Sequence, residues 1–211
     1  MPRPVTFVAL GDSLTVGFIP SRLATQPYPR ILQELTEAFL QHSPRPPLVT
    51  TRFINRGVNG DLTSDMLLRF TRDVLAVQPN YVIILGGTND LGWGLPIDDV
   101  FSCLTQLYEQ ALLHGVEPIA CTVPSVLGWD EGIPPRLTLN GRLQRWCQEK
   151  TLLCVDLFEA TCDPATRRLR SDYASDGLHF NALGYQKIAE TIFEDAVRRI
   201  LSRASSLKDR L

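Results

Sequence analysis

Four short, largely apolar runs govern what this chain can become: VTFVAL (5–10), YVIIL (81–85), VEPIACTV (116–123) and LLCVDLF (152–158). Runs of this length and composition fit strands buried on both faces, as in a parallel sheet. A weaker fifth, LVTTRFINRG (48–57), carries Thr and Arg and suits a sheet edge. Between these runs the period changes. Ile97, Val100, Phe101, Leu104, Leu107, Tyr108 and Ala111 recur at helical spacing through 97–113, and Tyr185, Ile188, Ala189, Ile192, Phe193, Ala196, Val197 and Ile200 do the same near the end. Further helices are expected over 28–41, 63–77 and about 136–150. Five strands alternating with helices predict a three-layer α/β/α fold, its parallel sheet covered by helices on both faces.

Composition narrows the function classes. A chain of 211 residues suits one domain spanning 1–211, with the polar stretch 203–211 read as a frayed tail and HSPRPPL (42–48) as a loop. With 21 basic and 23 acidic residues, net charge −2 and no long block of either sign, there is no footprint for nucleic acid. No run approaches the ~18 apolar residues of a membrane span, so no integral membrane segment is expected. The apolar run at 5–10 is too short for a signal-peptide core and reads as the first strand. Five cysteines, odd in number and irregularly spaced with no CxxC pair, argue against a disulfide framework or zinc and for a reducing, cytoplasmic compartment. Cys103 and Cys121 lie in apolar segments and read as small core residues.

In open parallel sheets, ligands bind beyond the carboxyl ends of the strands. The segments found there are GDSLT (11–15), NRGVNGDLTSD (55–65), GGTNDLGWG (86–94), PSVLGWDEGIPP (124–135) and a long connection ending in SDGLHFN (175–181). Four of the five hold residues suited to acyl transfer. Four ordered blocks resemble the SGNH hydrolase superfamily, also called GDSL esterases and lipases: Ser13 in GDSLT, Gly60 in GVNGDLT, Asn89 in GGTND, and Asp176 with His179 in SDGLH. The resemblance spans nearly the whole chain and implies a flavodoxin-like sheet of order 2-1-3-4-5, which sets Ser13 centrally with Gly60 and Asn89 on either side.

Residue chemistry agrees with the resemblance. A serine hydroxyl is a weak nucleophile at neutral pH and needs an adjacent base, for which histidine is suited. Of three histidines, His42 enters the Pro-rich turn, and His114 with Gly115 reads as a helix C-terminus. His179 has Asp176 three residues before it, so one loop can offer a carboxylate to Nδ1–H and leave Nε2 for the serine. Alone, SDGLH equally fits a turn before a helix that Asn181 caps; the other blocks decide for the catalytic reading. The resemblance implies an oxyanion hole of the Ser13 and Gly60 backbone N–H groups and the Asn89 amide. Gly57 is equally credible as the turn residue, and Gly60 is preferred because it matches the block.

Asp12, Asp61, Thr63 and Asp90 read as turn and capping residues, and no cluster completes a metal site around Asp61 and Asp65. Trp93 and Trp129 fit either packing or a substrate pocket, Trp146 fits the core, and Val16, Phe18, Ile19 and Leu127 fit a modest acyl pocket. The expected protein is a serine esterase acting without cofactor or metal on a small-molecule ester of short to medium acyl chain, acetyl esters and lysophospholipids included. A thioesterase, a carbohydrate acetylesterase and a non-catalytic binding relative are the alternatives. Nucleotide binding is set aside for want of GxGxxG or GK[ST], and an α/β-hydrolase for want of G-x-S-x-G.

Overall fold

In the computed structural model, which describes residues 4–42 and 49–207, the first apolar run becomes an interior strand of the sheet, paired on both sides. Strand β1 (Val5–Gly11) passes directly into a one-turn helix, α1 (Ser13–Val16). A small antiparallel pair, β2 (Phe18–Ile19) and β3 (Ala24–Thr25), precedes α2 (Tyr28–Gln41). Next come β4 (Thr51–Gly57), α3 (Thr63–Asp73), β5 (Tyr81–Leu85), α4 (Thr88–Gly92) and α5 (Ile97–Leu113). Strand β6 (Glu117–Cys121) leads to α6 (Ile133–Lys150), and β7 (Leu153–Val155) to the short α7 (Leu157–Thr161). Helices α8 (Ala182–Ile192) and α9 (Arg198–Leu207) are joined by a π-helical turn at Phe193–Val197.

The five main strands are parallel in the order β4-β1-β5-β6-β7, the expected 2-1-3-4-5 arrangement with the weaker strand at an edge. Side chains alternate across a strand, so one sheet supplies two cores. Phe7, Ala9, Ile83, Leu85, Ile119 and Val155 pack with α2 and α8 on one face. Val8, Leu10, Val82, Ile84 and Ala120 pack with α3, α5 and α6 on the other. Helix α5 shows how the period works: Val100, Leu104, Leu107, Tyr108 and Ala111 are its buried stripe. It ends at His114 and Gly115, whose φ of 70° is the left-handed conformation expected there.

The boundaries differ from expectation in instructive ways. The fifth run was expected to be strand to residue 158, but β7 stops at Val155. Asp156 then caps α7 by accepting the Glu159 amide, and Leu157 and Phe158 are buried as helix residues. The helix over 63–77 closes at Asp73 and finishes as a 3₁₀ turn at Leu75–Val77. Helix α9 continues to Leu207, into the stretch expected to fray; 208–211 and most of the loop at 42–48 lie outside the described residues. Cys121 is buried as expected, whereas Cys103 is half-buried. Trp146 is half-buried on the second core, 5.6 Å from the Tyr108 ring.

Gly57 ends β4 directly opposite Gly11 of β1. A Cβ there would run into the backbone of Thr15 and Val16, so the missing side chain is what lets α1 sit against the sheet edge. Gly57→Ala is expected to cost about 1–3 kcal/mol in urea unfolding through this overlap. Gly92→Ala, where no heavy atom lies within 4 Å of the new carbon, is expected to leave stability within about 0.5 kcal/mol.

Candidate active site

The site forms where β4, β1 and β5 end together. Gly11 is level with Gly57 on one side and Leu85 on the other, so the three following segments emerge side by side. Asp12 turns the chain: its Oδ1 accepts the Leu14 amide at 2.8 Å and starts α1. Ser13 is therefore the first residue of a helix, where a backbone N–H has no intrahelical partner. It is 6% exposed.

From the other end of the chain, the connection before α8 brings His179 over this serine. Ser13 Oγ and His179 Nε2 are 3.0 Å apart, and His179 Nδ1 lies 2.9 Å from Asp176 Oδ2. Asp176 is a loop organiser as well as a partner, since its Oδ1 accepts the amides of Leu178 (3.0 Å) and His179 (2.7 Å). Partial burial pushes the Asp176 pKa up, but these amides and the imidazole outweigh it, and the carboxyl lies below its usual range. Gly177, at φ 93°, makes the turn, and its carbonyl accepts the Leu127 amide at 2.8 Å. Asn181 caps α8 through the Gly184 amide as expected, and its own amide donates to Asp172 O and Ala174 O.

The β2–β3 pair braces this loop. The Phe18 ring meets the His179 ring edge to face, with centroids 5.5 Å apart at 88°. Tyr185 Oη donates to Phe18 O at 2.8 Å, and the Ser21 and Ser175 hydroxyls are 2.7 Å apart. Phe18, read from sequence as pocket lining, thus packs on the histidine itself. Ile19 is in the core, and Leu127 is packed against it.

Gly60 and Asn89 follow the strands on either side of β1, as expected, and the bond from Asn89 to Asp61 links the two segments. Gly60 makes the turn after β4 with φ 81°, while Gly57 serves close packing, so the two candidate glycines have separate tasks. Asn89 lies in the first turn of α4, and its Nδ2 donates to Asp61 O at 2.9 Å, leaving its second N–H unused by this bond. Asp90 accepts the Thr63 hydroxyl (2.6 Å) and amide (3.1 Å), joining the starts of α4 and α3. Asp61 is more than the turn residue expected, because it forms an ion pair with Arg69 at 2.6 Å. Arg69 went unremarked in the sequence; the available signal was an arginine on the helix stripe that buries Met66 and Phe70.

Trp93 is 79% exposed and Trp129 39% exposed, so neither is core. Trp129 follows β6 in the same loop as Leu127, the residue bonded to the histidine loop. Among the described residues, no group of three or more His, Cys, Asp or Glu is placed to hold a metal.

The profile of the GDSL-like lipase/acylhydrolase family matches residues 9–187. The chain belongs to that family. An acetylxylan esterase of Geobacillus stearothermophilus is 26% identical over 161 residues, covering 71% of this chain and 74% of the esterase. An uncharacterized lipoprotein of Bacillus subtilis, YqeF, is 34% identical over 128 residues, covering 57% of this chain; the match spans about half, 49%, of the lipoprotein. The crystal structure of a lipase/acylhydrolase from Enterococcus faecalis superposes with TM-score 0.72 at 26% identity, over 94% of this chain and 96% of that one. Among this family member's described residues, no helix is long and apolar enough to cross a membrane.

Asp12 gives the site a pH signature. It is wholly buried, its Oδ2 has no partner among the described residues, and Asp90 and Asp61 lie near. Burial first, then these acids, pushes its pKa from the ordinary 3.8 to about 7. The folded protein therefore holds a proton that the unfolded chain releases, and this contribution to stability falls as pH rises from 3.8 to about 7. Asp12→Asn should remove the slope. In urea unfolding, the variant is expected to gain on the wild type steadily between pH 4.5 and 7.5; parallel pH profiles would refute the assignment.

Proposed function

We propose that this protein is a serine esterase that cleaves short-acyl carboxylic esters through Ser13, His179 and Asp176. The observation that carries the reading is the 3.0 Å approach of Ser13 Oγ to His179 Nε2, made by residues 166 positions apart. Nothing in local turn chemistry requires that contact. In the first step the Ser13 proton passes to Nε2 as Oγ bonds to the ester carbon. Asp176 holds Nδ1–H and steadies the imidazolium. The tetrahedral adduct collapses as the C–O bond to the alcohol breaks and Nε2 returns the proton to that oxygen. Water then attacks the acyl-enzyme, giving its proton to Nε2. Collapse releases the acid, and Ser13 regains its proton.

Negative charge on the carbonyl oxygen needs preorganised donors. The reading gives this task to the Ser13 N–H, the Gly60 N–H and the free N–H of Asn89. Support comes from the register that ends β4, β1 and β5 together and from the bond that orients the Asn89 amide. No cofactor or metal enters the reaction. The odd number and irregular spacing of the five cysteines favour a reducing, cytoplasmic setting.

A specific observation favours acetylated carbohydrate as the alcohol part. Trp93 is largely exposed and Trp129 partly so, on segments beyond the carboxyl ends of the strands, where aromatic rings suit a sugar, and the chain is similar to an acetylxylan esterase. Loop 124–135 would then border the leaving group.

Ser13→Ala is expected to lower hydrolysis of p-nitrophenyl acetate at least roughly 1000-fold and to abolish fluorophosphonate labelling. Asn89→Ala should lower kcat about 100- to 1000-fold while labelling persists more slowly. Wild-type turnover in Ser13→Ala would sink the reading. Trp129→Ala is expected to change the ratio of acetylated xylo-oligosaccharide to p-nitrophenyl acetate hydrolysis by at least about fivefold; an unchanged ratio would remove the loop from the leaving-group side.

A further inference from the structure

The exposed turn Val58–Gly60 is tied to β1 at its start, where the Val58 amide donates to Gly11 O at 3.0 Å, but its tip has little packing to hold it. A Cβ at Gly60 would meet nothing within 4 Å, and Val58 is 41% exposed. Yet the next residue, Asp61, is buried and ion-paired to Arg69, whose side chain is only 8% exposed. One guanidinium makes four bonds here. Nε donates to Asp61 Oδ2 at 2.6 Å, and Nη2 donates to Gly11 O at 2.9 Å. Nη1 donates to Arg56 O and to Asp73 Oδ2, both at 2.9 Å. Gly11 leads into Ser13, Arg56 is near the end of β4, and Asp61 adjoins Gly60 while its carbonyl holds the Asn89 amide. All three segments proposed to donate to the oxyanion are therefore referenced to a single planar group.

We infer that Arg69 is the positioning residue of the oxyanion hole, fixing the Gly60 N–H and the Asn89 amide through Asp61 relative to the Ser13 strand. The inference rests on the assignment of Ser13, Gly60 and Asn89 made above. Arginine suits the task because its donors form a rigid fork; a lysine ammonium is a flexible point charge that cannot span the same acceptors. Donors must stand where charge develops before reaction, so a loosened Asp61 costs transition-state stabilisation more than substrate binding.

The test compares Arg69→Lys, Arg69→Met and Asp61→Asn, with Arg72→Gln as control. Arg72 also binds Asp73 but is exposed and makes no bond to the turn. With p-nitrophenyl acetate and active sites counted by fluorophosphonate titration, kcat per site is expected to fall roughly 10- to 100-fold in the three variants. KM should stay within about threefold, and affinity for an aryl trifluoromethyl ketone, which forms a tetrahedral adduct, should fall by a similar factor to kcat. Arg72→Gln should match wild type. Combined with Asn89→Ala, Asp61→Asn should cost at least about threefold less than it does alone, because one of the two donors it orients is gone.

A residue that only supports the fold would lower the unfolding midpoint and leave kcat per titrated site, ketone affinity and the double-variant coupling unchanged. That result overturns the inference, as does equal loss in the presence and absence of Asn89. If the Arg69 variants do not fold, Asp61→Asn, which keeps the side-chain shape, decides alone. Ser13→Ala separates the two levels. An active Ser13→Ala removes the esterase assignment and this inference with it, whereas an inactive Ser13→Ala beside a fully active Asp61→Asn removes this inference alone.

Discussion

Everything at the site depends on parallel pairing that brings three strand ends to one level. Gly11 sits opposite Gly57 and Leu85, so the segments carrying Ser13, Gly60 and Asn89 leave the sheet as neighbours although more than seventy residues separate the first from the last. A slip of one residue would turn every side chain of a strand to the other face and exchange the two cores. The identity of the core residues therefore fixes the site indirectly: Phe7 and Ala9 must face α2 and α8 while Val8 and Leu10 face α3 and α5. Register locked by burial on both sides becomes register of the loops.

Two different kinds of interaction then hold the segments around the serine. The histidine flank is tied by a part-exposed carboxylate and by uncharged contacts: Asp176 to its own loop amides, Leu127 to Gly177, Ser21 to Ser175, and the Phe18 ring against the imidazole. The segments of Gly60 and Asn89 are tied by buried acids and a buried guanidinium. Replacing a buried ion pair by apolar groups is often neutral or stabilising, so net stability is a weak reason for keeping one. What an ion pair does supply is direction, because charge and hydrogen-bond geometry restrict where Asp61 can lie far more tightly than an apolar contact would.

The sequence made the architecture legible because both of its periods were clean. The strand runs, the α5 stripe and the edge character of 48–57 all reappear in the structure. The sequence placed Asp176 and His179 on one loop, and only the four-block resemblance joined that loop to Ser13; the three side chains do come within hydrogen-bond distance. Other parts were out of reach for physical reasons. One-turn helices such as α1 and α4 have too few residues for a period, and β2 and β3 are two residues each. The end of β7 turned on Asp156 capping a helix, a local bond that outweighed the apolar run continuing to Phe158. Arg69 binds across eight residues to Asp61 and fifty-eight to Gly11, and only folding brings those acceptors together.

A second buried arginine shows that interior cations are a general device at this edge of the sheet. Arg136 is fully buried and pairs with no acid among the described residues. Its Nε donates to Pro124 O at 3.1 Å, its Nη1 to Gly132 O at 2.7 Å, and the Trp129 ring lies 5.5 Å away. Burial lowers its pKa only to about 10, so it remains a cation at neutral pH. Carbonyl dipoles and an aromatic face offset the charge in place of a carboxylate. Both acceptors belong to the loop after β6, which gains a fixed course from a side chain beneath it, as the turn after β4 does from Arg69. In each case a helix packed on the sheet reaches upward with a rigid fork and binds backbone carbonyls at or beyond the end of a strand. The segment after β6 also buries Val126 and Ile133, whereas the tip of the turn after β4 is exposed, so there direction must come from the arginine rather than from packing.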